Sequence, residues 1–150
     1  MAYRTDREGS VIDLAADVQS YLIAEGLVDG ATGWPSTRGR VHDETERLVA
    51  VASDVGPAPE AHAAEGLGSA ALTIPSVQVR VRGAAADTRD EINTKARAIY
   101  DALHSLQGET LGSTAYMQIA ARASAFAEFY DDRERLNLTM SYLAYAAAVA

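Results

Sequence analysis

A chain of 150 residues has the usual size of one domain, and its net charge of −8, from 13 Lys and Arg against 21 Asp and Glu, disfavours binding to nucleic-acid phosphates or anionic membranes. The absence of cysteine excludes a disulfide framework, a thiolate zinc site and a cysteine nucleophile. No apolar run approaches the ~18 residues that span a bilayer, and the charged start MAYRTDREGS does not resemble a secretory signal. The expectation is a soluble chain made in a cytoplasm, where the Asn137-Leu138-Thr139 sequon is irrelevant.

The first element is a helix in SVIDLAADVQSYLIAEGL. Ser10 is placed to cap it, Val11, Leu14, Ala15, Val18, Tyr21 and Leu22 recur at three- and four-residue spacing, and Gly26 ends it. Residues 28–46 mix Gly, Pro, Thr and charge, which predicts turns with at most a short strand near Trp34. RLVAVAS, from Arg47 to Ser53, is β-branched and apolar and reads as a strand. About twenty Ala-, Gly- and Pro-rich residues follow, a long loop of the kind that is usually functional or disordered. PSVQVRVRG then alternates Val77, Val79 and Val81 with Gln78, Arg80 and Arg82, a strand whose valines face a core and whose arginines face water or a partner.

The second helix lies in DTRDEINTKARAIYDALHSLQG, opened by a Thr88/Glu91 capping box and carrying Ile92, Ala96, Ile99, Tyr100, Leu103 and Leu106 as one apolar stripe before Gly108. AYMQIAARA alternates as a strand. AFAEFY and LNLTMSYLAY read as a hairpin across the charged turn DDRER. The order α, β, β, α, β, β, β predicts a single α+β domain over residues 1–150: an antiparallel or mixed sheet of four to five strands with two helices packed on one face. The second face is then polar or covered by another protein.

Motifs for chemistry are weak. GLGSAA, at Gly66 to Ala71, imitates a dinucleotide fingerprint without the preceding strand and following helix. His42, His62 and His104 match no metal or catalytic spacing; His62 and Glu65, like Asp101 and His104, are three apart, as surface helix pairs are. No enzyme activity, cofactor or metal is expected. Asp131, Asp132, Arg133, Glu134 and Arg135 read as a solvated hairpin tip or a contact between neighbouring subunits, and Phe126, Phe129, Tyr142 and Tyr145 as core or interface anchors.

Taken together, VASDVGPAPEA, PSVQVRVRG, ARAIYDALHSLQG and FYDDRERLNLTMSY resemble, in order and spacing over residues 10–145, the tail terminator or minor capsid family of long-tailed, siphophage-like bacteriophages. The most specific points are the Gly56-Pro57 turn, the strand from Pro75 to Gly83, Tyr100-Asp101-Ala102-Leu103 and the Asp-x-Arg hairpin before Asn137; STRGRVHDE and the Ala-rich loop and tail depart from the pattern. The resemblance implies a structural virion protein, made in the host bacterial cytoplasm, that forms a homo-oligomeric ring, a hexamer, at the head-proximal end of the tail tube. Such a ring stops tube polymerisation and offers the head-docking surface. Its partners would be other copies of itself, the tail tube protein and a head-completion or connector protein, with DNA only passing through the lumen and no membrane. Arg80 and Arg82 would then face acids of an adjacent subunit, from Asp131, Asp132 and Glu134 or from Asp43, Glu44 and Glu46, or would line the lumen. The alternatives are a head-completion or connector protein of the neck and, from another class, a small ligand-binding or enzymatic α+β domain.

Overall fold

A computed structural model describes residues 12–41, 46–54 and 72–147. Helix α1, Leu14–Ala24, is capped by Asp13, whose carboxylate accepts the Ala16 N–H at 3.1 Å, while Ser10 lies outside the described residues. Gly26, at φ +74°, follows the Glu25 C-cap, as its place after the apolar stripe predicts. A 3-10 turn at Gly30–Thr32 leads to strand β1, Ser36–Arg38, and then β2, Leu48–Asp54. Strands β3, Leu72–Thr73, and β4, Ser76–Arg82, precede helix α2, Arg89–Leu103. The expected capping box is formed, with the Thr88 side chain accepting from Glu91 N–H and the Glu91 carboxylate from Thr88 N–H. Strands β5, Leu106–Leu111, β6, Thr114–Ala121, β7, Ala127–Tyr130, and β8, Leu136–Ala147, complete the chain.

These strands make one sheet in the order β1-β2-β4-β8-β6-β5, with β3 and β7 also paired to β8. The expected four- to five-stranded sheet is therefore corrected to one of eight strands among the described residues. The short strand allowed near Trp34 is β1, and two further strands, β3 and β5, are absent from the sequence reading for physical reasons. β3 is too short to show a period. β5 hides behind α2 because Leu106 continues the spacing of Leu103, yet the helix stops at Leu103 and Ser105, at φ +70°, turns the chain into a strand. Among the described residues only β1 and β2 are parallel; the other pairs are antiparallel.

Strand β8 is the spine. Its first half lies between β4 and β7 and its second half meets β6, so β6 and β7 lie in succession along one side, as β4 and β3 do along the other. Helix α1 touches β1 and β2 at one end of the sheet order and β5 at the other, while α2 crosses β4, β6 and β8 in the middle. A flat sheet could not bring both ends to one helix. The sheet curls around the two helices as a half-barrel, and the core sits in its hollow: Val18, Leu22, Val49, Val51, Val77, Val79, Val81, Ile92, Ile99, Leu103, Ile119 and Tyr142 are all buried there. Each fully buried Val, Leu or Ile contributes roughly 1.5–3 kcal/mol by leaving water.

Two polar contacts fix the helices in this hollow. Tyr116 Oη donates to Asp17 Oδ2 at 2.6 Å, joining β6 to α1, and burial pushes the Tyr116 phenol up. Burial also raises the Asp17 carboxyl, against the lowering effect of the Tyr116 hydrogen bond, and the nearby Asp13 raises it further. The β5–β6 turn passes so close that a Cβ on Gly112 would lie 2.5 Å from Asp17 Oδ1, and its φ of +61° independently favours glycine. At the other end, His104 stacks on Tyr100 at 4.9 Å and its Nδ1 accepts the Ala121 N–H at 3.0 Å, tying α2 to β6.

Candidate functional site

The convex face of the sheet, opposite the helices, carries the residues that the alternation points away from the core. In register they are Ala50 and Ala52 of β2, Gln78, Arg80 and Arg82 of β4, Asn137, Thr139 and Ser141 of β8, and Ala127 and Phe129 of β7. The two arginines meet different fates. Arg80 is half-buried, and its guanidinium lies 5.2 Å from the centre of the Phe129 ring, a cation–π contact on the sheet surface. Arg82 is only 1% exposed: its register partners Leu48 and Asn137 are buried beside it, and its Nε donates to the Glu46 carbonyl at 3.1 Å. The guanidinium of Arg82 is thus held inside the chain, and Arg80 is the one of the pair that keeps exposure on the convex face.

The turn between β7 and β8 divides in the same way. Asp131 organises it: Oδ1 accepts the N–H groups of Arg133 at 3.0 Å and Arg135 at 2.9 Å, and Oδ2 accepts Arg135 Nε at 2.9 Å. Burial raises the Asp131 carboxyl, but these hydrogen bonds prevail and hold it below its usual range. Arg135 is 1% exposed. Asp132, Arg133 and Glu134 are exposed at the tip, with Glu134 at φ +59°. Within one chain Arg80 meets the Phe129 ring and no tip carboxylate. Asp43 and Glu44 lie outside the described residues, as do His42, His62, Glu65, Gly66 to Ala71 and the Gly56-Pro57 turn. The same holds for residues 55–71 of the long loop.

Next to this turn, every residue of β7 is exposed. Phe129 keeps 42% and Tyr130 61% of its surface, and Met117, where the β6–β8 register shifts, keeps 58%. Tyr130 and Met117 escape a sequence reading because an aromatic or Met in a strand looks like core; Tyr130 is exposed because β7 is an edge strand and Met117 because the β6–β8 register shifts at it, and periodicity reveals neither.

A cleft of about 430 Å³ opens on the helix side, lined by Trp34, Arg47, Asp90, Glu91, Thr94, Lys95 and Ala98. Its charged groups have structural tasks. Arg47 pairs with Asp87 through Nε and Nη2, each at 2.8 Å, and lies 4.8 Å over the Trp34 ring, and Lys95 Nζ donates to the Leu27 carbonyl at 2.6 Å. The hydrogen bond from Arg47 holds the Asp87 carboxyl low, while burial and then Arg47 push the Lys95 amine down. Together these bonds fasten the 27–34 turn and the start of β2 to α2. Among the described residues no group of three or more His, Cys, Asp or Glu is placed to hold a metal, and no helix is long and apolar enough to cross a membrane.

No protein-family model matches the chain, and no curated protein matches it in sequence. Its fold is similar to that of a chain in a solved structure described as the virion of a native gene transfer agent particle. The likeness covers 89% of this chain and 94% of that one with a TM-score of 0.64, at 15% sequence identity.

Proposed function

We propose that the chain is a structural protein of a phage-like particle, a tail terminator that acts by assembly and without turnover. It closes into a homo-oligomeric ring, a hexamer, at the head-proximal end of the tail tube, stops tube growth there and presents the surface on which the head docks. DNA passes through the lumen of the ring. The observation that carries this reading is the likeness of fold over nearly the whole of both chains to a component of a gene transfer agent virion. The convex face and the exposed β7 supply what an assembling subunit needs: half-buried polar groups, large exposed aromatics and a charged tip beside them. The net charge of −8 suits a lumen that must let a genome slide without gripping its phosphates.

The test is functional. Added to polymerising tail-tube subunits, the purified protein should shorten the tubes and appear by electron microscopy as a ring on one end. Rings that bind a head connector while leaving tube length unchanged would favour a neck protein over a terminator. A protein that binds neither partner would overturn the reading.

A further inference from the structure

The half of the sheet that contains the tip runs β1-β2-β4-β8-β7, so it ends in two strands that pair on one side only among the described residues. The hydrogen-bond phase shows which groups these edges offer. Asp131 N–H donates to the Arg135 carbonyl at 3.1 Å, in register with the Tyr130–Leu136 pair, so by antiparallel alternation Phe129 and Ala127 turn their backbone toward β8 and Glu128 and Tyr130 turn theirs outward. On β1, Val49 N–H bonds to the Pro35 carbonyl and Gly39 N–H to the Val51 carbonyl, which places the backbone groups of Ser36 and Arg38 on the outer side. The outward N–H of Ser36 is taken by Asp29 Oδ1 at 2.6 Å; the Ser36 carbonyl and both groups of Arg38 remain directed outward.

Exposed strand edges are normally blunted by charge, proline or distortion. β7 has no proline and one charge, Glu128, already paired with Arg89, and it exposes two aromatics. Among the described residues, and leaving aside the two-residue β3, the edges of a second copy that it can meet are those of β7, β5 and β1. Another β7 would set Glu128 near Glu128. The outer edge of β5 carries Glu109 and is interrupted by Gly108 at φ +64°. β1 carries Arg38, followed by Arg40, with no acid between Trp34 and Val41.

We infer that the open edge of β7 pairs with the β1 edge of a second copy, antiparallel, with Glu128 opposite Arg38. The inference rests on the ring reading and names the contact that builds the ring. Strand direction agrees with it: β1 and β8 run one way and β4 and β7 the other, so continuing the sheet with the helices on the same side sets β7 antiparallel to the next β1. Face parity agrees as well. Glu128 pairs with Leu138 and Arg38 with Val51, both core-facing, so the two charges fall on the helix side, and Phe129 and Thr37 fall together on the convex side. Because the two edges differ, the contact is head-to-tail and does not stop at a dimer; on the ring reading, its rotation from copy to copy closes.

The absence of native cysteine makes the test clean. In this register Thr37 and Phe129 form a pair without mutual backbone hydrogen bonds, about 4.5 Å apart at Cα, within the span of a disulfide. Thr37→Cys mixed with Phe129→Cys under mild oxidation should give covalent dimers, each variant alone none, and the double variant covalent oligomers up to the closed ring. In the otherwise native chain, Glu128→Arg should reduce the oligomer at least tenfold and the added Arg38→Glu restore it. Cross-linking of Phe129→Cys with itself overturns the β7–β1 contact. Native-mass oligomers that neither cross-link nor respond to the charge exchange also overturn it while leaving the ring reading intact. Monomer alone in the native chain, by native mass, overturns both.

Discussion

The adjacent arginines of β4 give the sharpest test of the fold, because the alternation treats Arg80 and Arg82 as equivalent and the structure separates them. In Arg82→Glu, a 1%-exposed guanidinium that donates to the Glu46 carbonyl becomes a carboxylate facing the same carbonyl oxygen beside buried Leu48 and Asn137. Burying an unpaired carboxylate against an unsatisfied carbonyl oxygen costs several kcal/mol, about 3–5 by comparison with a broken buried ion pair. At about 2–4 °C per kcal/mol for a chain of this size, Tm should fall by roughly 6–20 °C. In Arg80→Glu the loss is a half-exposed cation–π contact with Phe129, about 0.5–1 kcal/mol, or a fall of about 1–4 °C. Thermal melts followed by far-UV circular dichroism at neutral pH measure both. Equal, small shifts would refute the burial of Arg82, and a larger shift for Arg80 would refute the division of the convex face into a held arginine and an accessible one.

Three further outcomes follow from particular contacts. An added Cβ at buried Gly83 would overlap Ile92 Cγ1 and Cδ1, so Gly83→Ala should destabilise by about 1–3 kcal/mol, read as a lower denaturant midpoint at unchanged slope. Thr88→Ala removes the hydroxyl that accepts Glu91 N–H and should cost about 1 kcal/mol in the same assay. The folded-state carboxyl of Asp87 is held below its ordinary 3.8 by Arg47, so its stabilising contribution is complete above that value and is lost as pH falls through the lowered one. Asp87→Asn should therefore melt below the native chain at neutral pH, with the gap narrowing below about pH 3.8; a gap independent of pH would count against the Arg47–Asp87 pairing.

Much of the fold is legible in the sequence where a local period and a cap coincide. Thr88 and Glu91 mark the start of α2, Val77, Val79 and Val81 mark the buried face of β4, and DDRER separates β7 from β8. Information that lies in strand order is not legible. Nothing local says that the twelve residues of β8 serve β4 and β7 with one half and β6 with the other, or that the sheet curls until α1 touches both of its ends. The same limit governs the candidate surface. The arginine face of β4 is visible as a pattern, but Arg82 is buried because Leu48 and Asn137 flank it from distant parts of the chain, and Tyr130 is exposed because β7 is an edge. Asp131 belongs to a charged run that reads as a solvated tip, whereas it is the acceptor around which the turn is built.

Native mass spectrometry of the full chain, at micromolar concentration across a range of salt, reads the proposed ring assembly without any partner protein. A hexameric ring gives one closed species at six times the 15.9 kDa chain mass, without a ladder of open intermediates. Monomer at every concentration and salt would contradict it.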